Sequence, residues 1–114
     1  NPVTVNAGLA TLNLLSKNKP YIKLTIQTQK LCKGIMQAAK DYGIRIKMNF
    51  LGSMFSFSSD KDLFSRFYHG LIKEGIYFSP SLLETNFLST AHTSRDIEGT
   101  LEAIDKAFNK LVYR

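Results

Sequence analysis

Glu84 is the residue that the sequence places best for chemistry. It follows a corner at Pro80, inside the mostly apolar stretch 76–93, and begins the second of two short apolar runs. A carboxylate in that position could project into a cleft. The other interpretation is an exposed charge at the end of a strand, because ionised carboxylates are rarely buried without a partner. Residue types alone leave both interpretations of Glu84 open.

The remaining residues capable of catalysis or metal binding do not form a set. His69 falls near the end of a predicted helix, where a positive charge interacts favourably with the helix dipole. His92 precedes a predicted helix cap, and we expect it to form local hydrogen bonds. Cys32 is the only cysteine and lies on an apolar helix stripe, which is typical of a core residue. These spacings do not match a metal site, and nucleophile-elbow and phosphate-loop motifs are absent, so residue types alone place no nucleophile–base–acid set, no metal site and no phosphate loop in this sequence.

Composition narrows the class of protein. The 114 residues, 44% hydrophobic and 21% charged, fit one globular domain. The formal net charge is +6, but the basic residues are dispersed over predicted helix faces, which favours solvated surfaces over a nucleic-acid patch. A basic nucleic-acid-binding module is the alternative from another functional class. No run approaches the roughly 20 apolar residues that a membrane span requires, and a single cysteine favours a reducing compartment.

Hydrophobic spacing predicts eight elements in the order α-α-β-β-α-β-β-α. The apolar period changes from about 3.6 to 2 at Ile44, which indicates a β-hairpin around Gly52-Ser53. Two more strands are predicted within residues 76–93. The other predicted elements are helices over about 1–17, 20–42 and 60–74, hairpin strands over 44–51 and 54–58, and a last helix. The predicted caps are Asn1 for the first helix, Ser59 or Asp60 for the third, and Thr93 for the last, where Asp96 completes a variant of the capping box.

The predicted fold class is α+β, with an antiparallel sheet of about four strands covered on one face by helices. Phe55 and Phe57 alternate toward the buried face of the sheet, and the opposite face is expected to be polar. Each helix carries one apolar stripe. The stripes are Val5, Leu9, Leu12 and Leu15; Tyr21, Leu24, Thr28, Leu31, Cys32, Ile35 and Ala39; Leu63, Phe64, Phe67 and Leu71; and Ile97, Leu101, Ile104, Phe108 and Leu111.

A series of short motifs resembles the glutamate-1-semialdehyde 2,1-aminomutase family, which belongs to the class-III aminotransferases of pyridoxal-phosphate (PLP) fold type I. The order and spacing of these motifs along the whole chain carry the resemblance. They are Asn1-Pro2-Val3, Ala7-Gly8-Leu9-Ala10-Thr11-Leu12, Gly52-Ser53-Met54-Phe55, Phe67-Tyr68-His69-Gly70, Glu74-Gly75-Ile76-Tyr77, Ser79-Pro80-Ser81, Glu84, Phe87-Leu88-Ser89, Ala91-His92-Thr93 and Asp96-Ile97.

The resemblance implies that residues 1–114 are the C-terminal small domain of a longer PLP-dependent enzyme. The start at Asn1-Pro2, without a methionine, agrees with this expectation. In the family, the Schiff-base lysine and the other groups that hold pyridoxal 5'-phosphate or pyridoxamine 5'-phosphate lie upstream of this segment. The implied partners are the large PLP-binding domain of the same chain, a second copy in a homodimer and a small-molecule substrate. Nucleic acid and membrane are not expected as partners, and the implied location is the cytoplasm.

Glu84 is the one family feature within this sequence to which the resemblance assigns a role. Many class-III aminotransferases carry an arginine here that binds a substrate carboxylate, whereas the aminomutases carry a glutamate, which implies a substrate-positioning role for Glu84. A carboxylate would repel a substrate carboxylate and favour an amine or aldehyde. The neighbours Leu82-Leu83 and Thr85-Asn86 depart from the commoner family residues, which bears on the shape of the loop.

The implied reaction exchanges an amino group between adjacent carbons, converting glutamate-1-semialdehyde to 5-aminolevulinate in tetrapyrrole (porphyrin) biosynthesis. The resemblance further implies that the 114-residue segment alone is inactive. The nearest alternative is the small domain of another class-III aminotransferase, which transfers an amine between two substrates.

Overall fold

A computed structural model describes residues 1–113. The described elements are α1 (Pro2–Asn18), α2 (Tyr21–Asp41), β1 (Lys47–Leu51), β2 (Met54–Ser58), α3 (Lys61–Lys73), β3 (Asn86–Phe87) and α4 (Ser94–Val112). The fold is α+β with an antiparallel sheet, as predicted. Its element order is α-α-β-β-α-β-α, because the described sheet has three strands where about four were predicted.

The strands follow one another in the sheet as β1-β2-β3. In the hairpin, Phe50 is opposite Phe55 and Leu51 is opposite Met54, so the loop consists of two residues, the predicted Gly52-Ser53. Gly52 has a φ of 58°, a conformation that glycine adopts without a steric penalty. The short strand β3 is antiparallel to β2, with Phe87 opposite Met54.

A mostly aromatic and aliphatic core fills the space between the sheet and helices α2, α3 and α4. Phe67 of α3 and Phe108 of α4 are fully buried and stack with ring centroids 4.8 Å apart. The ring centroid of Phe57 in β2 lies 6.0 Å from that of Phe67 and 5.8 Å from that of Phe64. These contacts join the sheet to α3. The predicted stripes of α2, α3 and α4 therefore face the core, with one correction: Tyr21, in the first turn of α2, is exposed.

The predicted strand at residues 76–78 does not form. Phe78 is buried, and its ring centroid lies 5.7 Å from that of Phe55 and 5.3 Å from that of Phe57, so the residue belongs to the core. Its segment does not pair with the sheet, because the next N–H, that of Ser79, donates to the side-chain Oδ1 of Asn86 at 2.7 Å, and Pro80 has no N–H to continue a ladder. The prediction of a strand in the apolar run before Pro80 was therefore wrong, although Phe78 of that run is buried.

Side-chain caps fix the ends of the helices that border the later loops. Asp60, one of two predicted caps, accepts hydrogen bonds from the N–H groups of Asp62 and Leu63 and begins α3. Thr93 and Asp96 form the predicted capping box at the start of α4. The hydrogen bonds from the Thr93 hydroxyl and N–H hold the pKa of the Asp96 carboxyl below its usual value.

Helix α1 has no buried residue. Val5, Leu9 and Leu12 share one face, and positions three and four apart place Val3, Ala7, Ala10 and Leu14 on the opposite face. From Pro2 to Ser16 the helix has no charged side chain. Neither α1 nor any other helix within residues 1–113 combines the length and apolarity needed to cross a membrane.

The outer face of the sheet is less polar than predicted. Leu51, Met54 and Phe87 lie side by side across the three strands and are exposed. They form an apolar row at the hairpin end of the sheet, beside the polar residues Asn49 and Ser56. A solvated outer face of an antiparallel sheet is ordinarily polar, so this row is a second apolar surface that the described residues leave uncovered.

Cys32 is fully buried on α2, as predicted, and burial raises the pKa of its thiol to about 11. We expect the folded chain to resist a thiol reagent such as Ellman's reagent at pH 8 and to react once denatured, since the thiolate is the nucleophile. Because the pKa of the folded thiol lies above its ordinary value of 9.0, the stability associated with the neutral thiol is fully present below pH 9 and is lost as the pH rises toward 11. Rapid stoichiometric labelling without denaturant would contradict this burial.

Candidate functional site

An open cleft of about 1020 Å³ lies beside the sheet. Its walls are the segment after α3 (residues 74–80), the segment that contains β3 (residues 84–88) and the first turns of α4 (residues 95–100). Leu31 of α2 and Phe55 of β2 also line it. The cleft therefore forms where three loops and helix ends meet over the core, the kind of concave surface where binding sites commonly occur.

Carboxylates dominate the polar side chains of this cleft. Its basic side chains are Arg95 and His92. Its acidic side chains are Glu74, Glu84, Asp96, Glu98 and Glu102. The cleft is negative although the whole chain has a formal charge of +6. A concave surface with an excess of one sign of charge attracts ligands of the opposite sign, so this cleft favours an amine and disfavours a phosphate or a carboxylate as its ligand.

Two of these carboxylates are paired with lysines. Glu74 accepts a hydrogen bond from Lys110 Nζ at 2.6 Å, which lowers the pKa of the Glu74 carboxyl. Glu98 accepts from Lys30 Nζ at 2.9 Å, which lowers the pKa of Glu98 in the same way. These pairs link α4 to the end of α3 and to α2. Their charges are therefore partly compensated by the protein itself.

Glu84 lies in a turn and not at the start of a strand, which corrects the local prediction. Its N–H donates to the carbonyl of Ser81 at 3.2 Å, and the strand begins two residues later at Asn86. Its side chain is exposed and lines the cleft. Oε2 accepts a hydrogen bond from the Ser79 hydroxyl. Among the described residues Glu84 forms no salt bridge, so its charge remains available to a ligand.

His92 forms the local hydrogen bonds that were predicted for it. Its Nδ1 accepts from the N–H of Ser89 at 2.9 Å, which leaves Nε2 to carry the proton in the neutral ring. The carbonyl of His92 accepts from Gln27 Nε2 at 3.4 Å, which ties the loop to α2. His92 lines the cleft, whereas the exposed His69 does not. The structure therefore brings Glu84 and His92 to one cleft and leaves His69 outside it.

Ser79 and Asn86 are parts of this site that sequence reasoning missed. Asn86 is buried, and its Oδ1 accepts from the N–H of Ser79, whose hydroxyl donates to Glu84. The only sequence signal was a polar residue, Asn86, directly before the apolar pair Phe87-Leu88. Such a residue, once buried, requires a hydrogen-bond partner, but the sequence pattern does not identify that partner.

Two solved structures share this arrangement of elements. One is a transaminase with PLP bound, with a TM-score of 0.86 and 20% sequence identity, covering 99% of this chain and 28% of that chain. The other is an omega-transaminase from Sphaerobacter thermophilus, with a TM-score of 0.82 and 22% identity, covering 96% of this chain and 28% of that chain. The chain thus has the fold of one segment of the PLP transaminases.

The sequence comparison is more particular. The chain is similar to glutamate-1-semialdehyde 2,1-aminomutase from Dechloromonas aromatica (strain RCB), with 38% identity over 125 aligned positions that cover 97% of this chain and 29% of that protein. It spans less than a third of the length of the relatives that it matches. No family model matches the chain. The resemblance that the motifs indicated is therefore confirmed as sequence similarity to the aminomutase along almost the whole chain.

The described residues do not by themselves fit PLP. No lysine lines the cleft within residues 1–113, so the cleft offers no amine for a Schiff base. Its five carboxylates oppose a phosphate group, and Arg95 alone could bind one among the lining side chains. In the same described part of the chain, no group of three potential ligands is placed to hold a metal ion.

Proposed function

We propose that residues 1–114 are the C-terminal small domain of a PLP-dependent aminomutase that converts glutamate-1-semialdehyde to 5-aminolevulinate in tetrapyrrole biosynthesis. The observation that carries this proposal is the 38% identity to glutamate-1-semialdehyde 2,1-aminomutase across 97% of the chain. The negative cleft supports it, because the reaction acts on an amine and an aldehyde on adjacent carbons of a small molecule. The proposed location of this enzyme is the cytoplasm.

Glu84 is the substrate-positioning residue in this proposal. Its carboxylate is exposed to the cleft and accepts a hydrogen bond from a neutral hydroxyl. A carboxylate without a cationic partner is suited to accept hydrogen bonds from an ammonium group and to repel a carboxylate. Its charge would therefore orient the amine end of the substrate and keep the acid end away.

The cofactor, as pyridoxal 5'-phosphate or pyridoxamine 5'-phosphate, is held by other parts of the full-length protein. When bound there, it supplies the electron sink for amino-group transfer. This chain contributes one wall of the substrate site and helps to exclude water from it.

The large domain of the same polypeptide is the partner that covers the apolar surfaces of this chain, and the active form is a homodimer. Helix α1 supports the large domain as the covering partner, because this helix is apolar on two opposite faces and has no buried residue. A helix with apolar residues on two opposite faces can bury both of them only when a larger protein surrounds it. The exposed row of Leu51, Met54 and Phe87 offers a second contact surface.

The test of the function uses the full-length protein. It should purify with the absorbance of bound PLP and convert glutamate-1-semialdehyde to 5-aminolevulinate, whereas the 114-residue chain alone should bind no PLP and show no activity. Amino-acceptor assays distinguish the alternative: transfer of an amine to a second substrate at a higher rate would make the protein another class-III aminotransferase. A full-length protein without PLP would overturn both.

Glu84→Gln in the full-length enzyme should lower kcat/KM for the semialdehyde by about 10- to 100-fold, which corresponds to loss of a hydrogen bond to a charged group. Glutamine keeps the size of the side chain and removes its charge. The measurement is steady-state kinetics at several substrate concentrations.

The matched control is Glu98→Gln, because Glu98 lines the same cleft but is paired with Lys30. Its exposed ion pair should contribute little, so kcat/KM should remain within about 2-fold. Equal effects of the two substitutions would assign the loss to the charge of the cleft as a whole, and unchanged kinetics of Glu84→Gln would remove Glu84 from the site.

A further inference from the structure

The loop that carries Glu84 is held by side chains where a sheet would use backbone pairing. The N–H of Ser79 donates to Asn86 Oδ1 at 2.7 Å, and the Ser79 hydroxyl donates to Glu84 Oε2. Asn86 is itself fixed, because it belongs to β3 and is opposite Phe55 of β2. A continuous chain of hydrogen bonds thus runs from the sheet to the exposed carboxylate.

This chain of hydrogen bonds constrains a side chain that would otherwise be mobile. An exposed glutamate has several rotatable bonds, and fixing them costs conformational entropy whenever a ligand requires one rotamer. The Ser79 hydroxyl holds Oε2, while Oε1 has no hydrogen-bond partner among the described residues. One carboxylate oxygen is therefore held by the protein, and the other remains to accept from a ligand.

We propose that Ser79 and Asn86 are positioning residues that hold the Glu84 carboxylate in its orientation toward the cleft and thereby set the selectivity for an amine-bearing substrate. This inference rests on the proposed role of Glu84. Ser79 acts through its hydroxyl, directly on Glu84. Asn86 acts indirectly, because its side chain fixes the backbone of Ser79. Pro80 makes this support necessary, because it offers no N–H through which the loop could pair with β3.

A purely structural role would have different consequences. If Ser79 and Asn86 only shaped the loop, their loss would disturb the cleft whether or not residue 84 carried a charge. If they position the carboxylate, their loss has no further effect once that carboxylate is gone. A double-mutant cycle separates these cases, because coupling between two residues appears as non-additivity.

The experiment measures kcat/KM for the semialdehyde in the full-length enzyme, with Ser79→Ala and Asn86→Ala each made alone and combined with Glu84→Gln. Each single variant should lower kcat/KM by about 5- to 10-fold, near the upper end for one ordinary hydrogen bond, because the Glu84 charge is kept and only its orientation is lost. In the Glu84→Gln background the same changes should have less than about a 2-fold effect.

Two conservative variants and one control complete the design. Ser79→Thr keeps the hydroxyl, so it should restore most of the activity lost in Ser79→Ala. Asn86→Gln keeps an uncharged acceptor oxygen, so it should retain more activity than Asn86→Ala. Ser81→Ala is the control, because the Ser81 hydroxyl oxygen accepts from the N–H of Leu83 and does not contact Glu84. It should leave kcat/KM within about 2-fold. Circular dichroism and the absorbance of bound PLP confirm that each variant is folded and loaded.

The possible results separate this inference from the proposed function. If Glu84→Gln reduces activity while Ser79→Ala does not, Glu84 keeps its role and the positioning inference is wrong. Equal losses from Ser79→Ala with and without the Glu84 carboxylate would show that the residue only shapes the loop, which also overturns the inference. If Glu84→Gln itself has no effect, the proposed role of Glu84 and the inference that depends on it both fail.

Discussion

Phe108→Ala should lower the free energy of unfolding of the chain by about 3–5 kcal/mol, the range for truncating a buried phenylalanine. Phe108 is fully buried. Its ring centroid lies 4.8 Å from that of Phe67, on which it stacks, and 6.3 Å from that of Tyr42. It therefore joins α2, α3 and α4. Because natural domains are stable by only about 5–15 kcal/mol, this loss is a large share of the total. Urea denaturation followed by circular dichroism measures it.

The matched control is Phe87→Ala. It deletes the same side chain from the outer face of the sheet, where Phe87 is 62% exposed. In the 114-residue chain this change should stay within about 0.5 kcal/mol, as for most surface substitutions. Similar losses for the two variants would mean that the core is not organised around the stacked pair of Phe67 and Phe108.

Leu9→Asp should have a large effect in the full-length protein and a small one in the isolated chain. In the chain alone Leu9 is 53% exposed on α1, so the change should cost about 0.5 kcal/mol, mainly through helix propensity. If α1 is covered by the large domain, the same change buries an unpaired carboxylate and removes apolar contacts, a cost of about 3–5 kcal/mol or more. Thermal unfolding and the yield of folded protein measure the difference.

Asn13→Asp provides the control on the same helix. Asn13 lies between the two apolar faces of α1, so a carboxylate there can remain solvated at the edge of the contact. It should change stability by at most about 1 kcal/mol in either context. If Leu9→Asp is equally mild in the full-length protein, α1 is not covered by the rest of the polypeptide, and the partner proposed for its apolar faces is wrong.

The contrast between the charge of the chain and the charge of the cleft bears on function. The +6 balance alone made a nucleic-acid-binding module worth considering. The structure places five carboxylates around the cleft, of which Glu74 and Glu98 are paired with lysines; the remaining excess of negative charge would repel phosphates there and attract amines. Net charge describes the surface as a whole, whereas selectivity depends on which side chains the fold gathers in one concave surface.

The sequence by itself determined the helices and most of the core. Their signals are local: caps at Asn1, Asp60 and Thr93 lie within a few residues of the N–H groups that they satisfy. Apolar residues three or four apart share a helix face wherever that helix lies in the fold. For this reason the stripes of α2, α3 and α4 were predicted almost residue by residue. The hairpin was equally readable, because a two-residue turn fixes its register.

The tertiary structure alone decided which extended segments pair and which polar residues meet. The apolar run at residues 76–78 could not reveal that the N–H of Ser79 would bond the side chain of Asn86 and not a strand. Nor could spacing reveal that Glu84 shares a cleft with α4, because that proximity depends on contacts distant in sequence. Helix α1 shows the same limit: its periodicity predicted an apolar stripe, but only the fold shows that Val5, Leu9 and Leu12 of that stripe are exposed. Helix formation follows from local hydrogen bonding, whereas strand pairing, burial and site geometry depend on which distant segments the folded chain brings together.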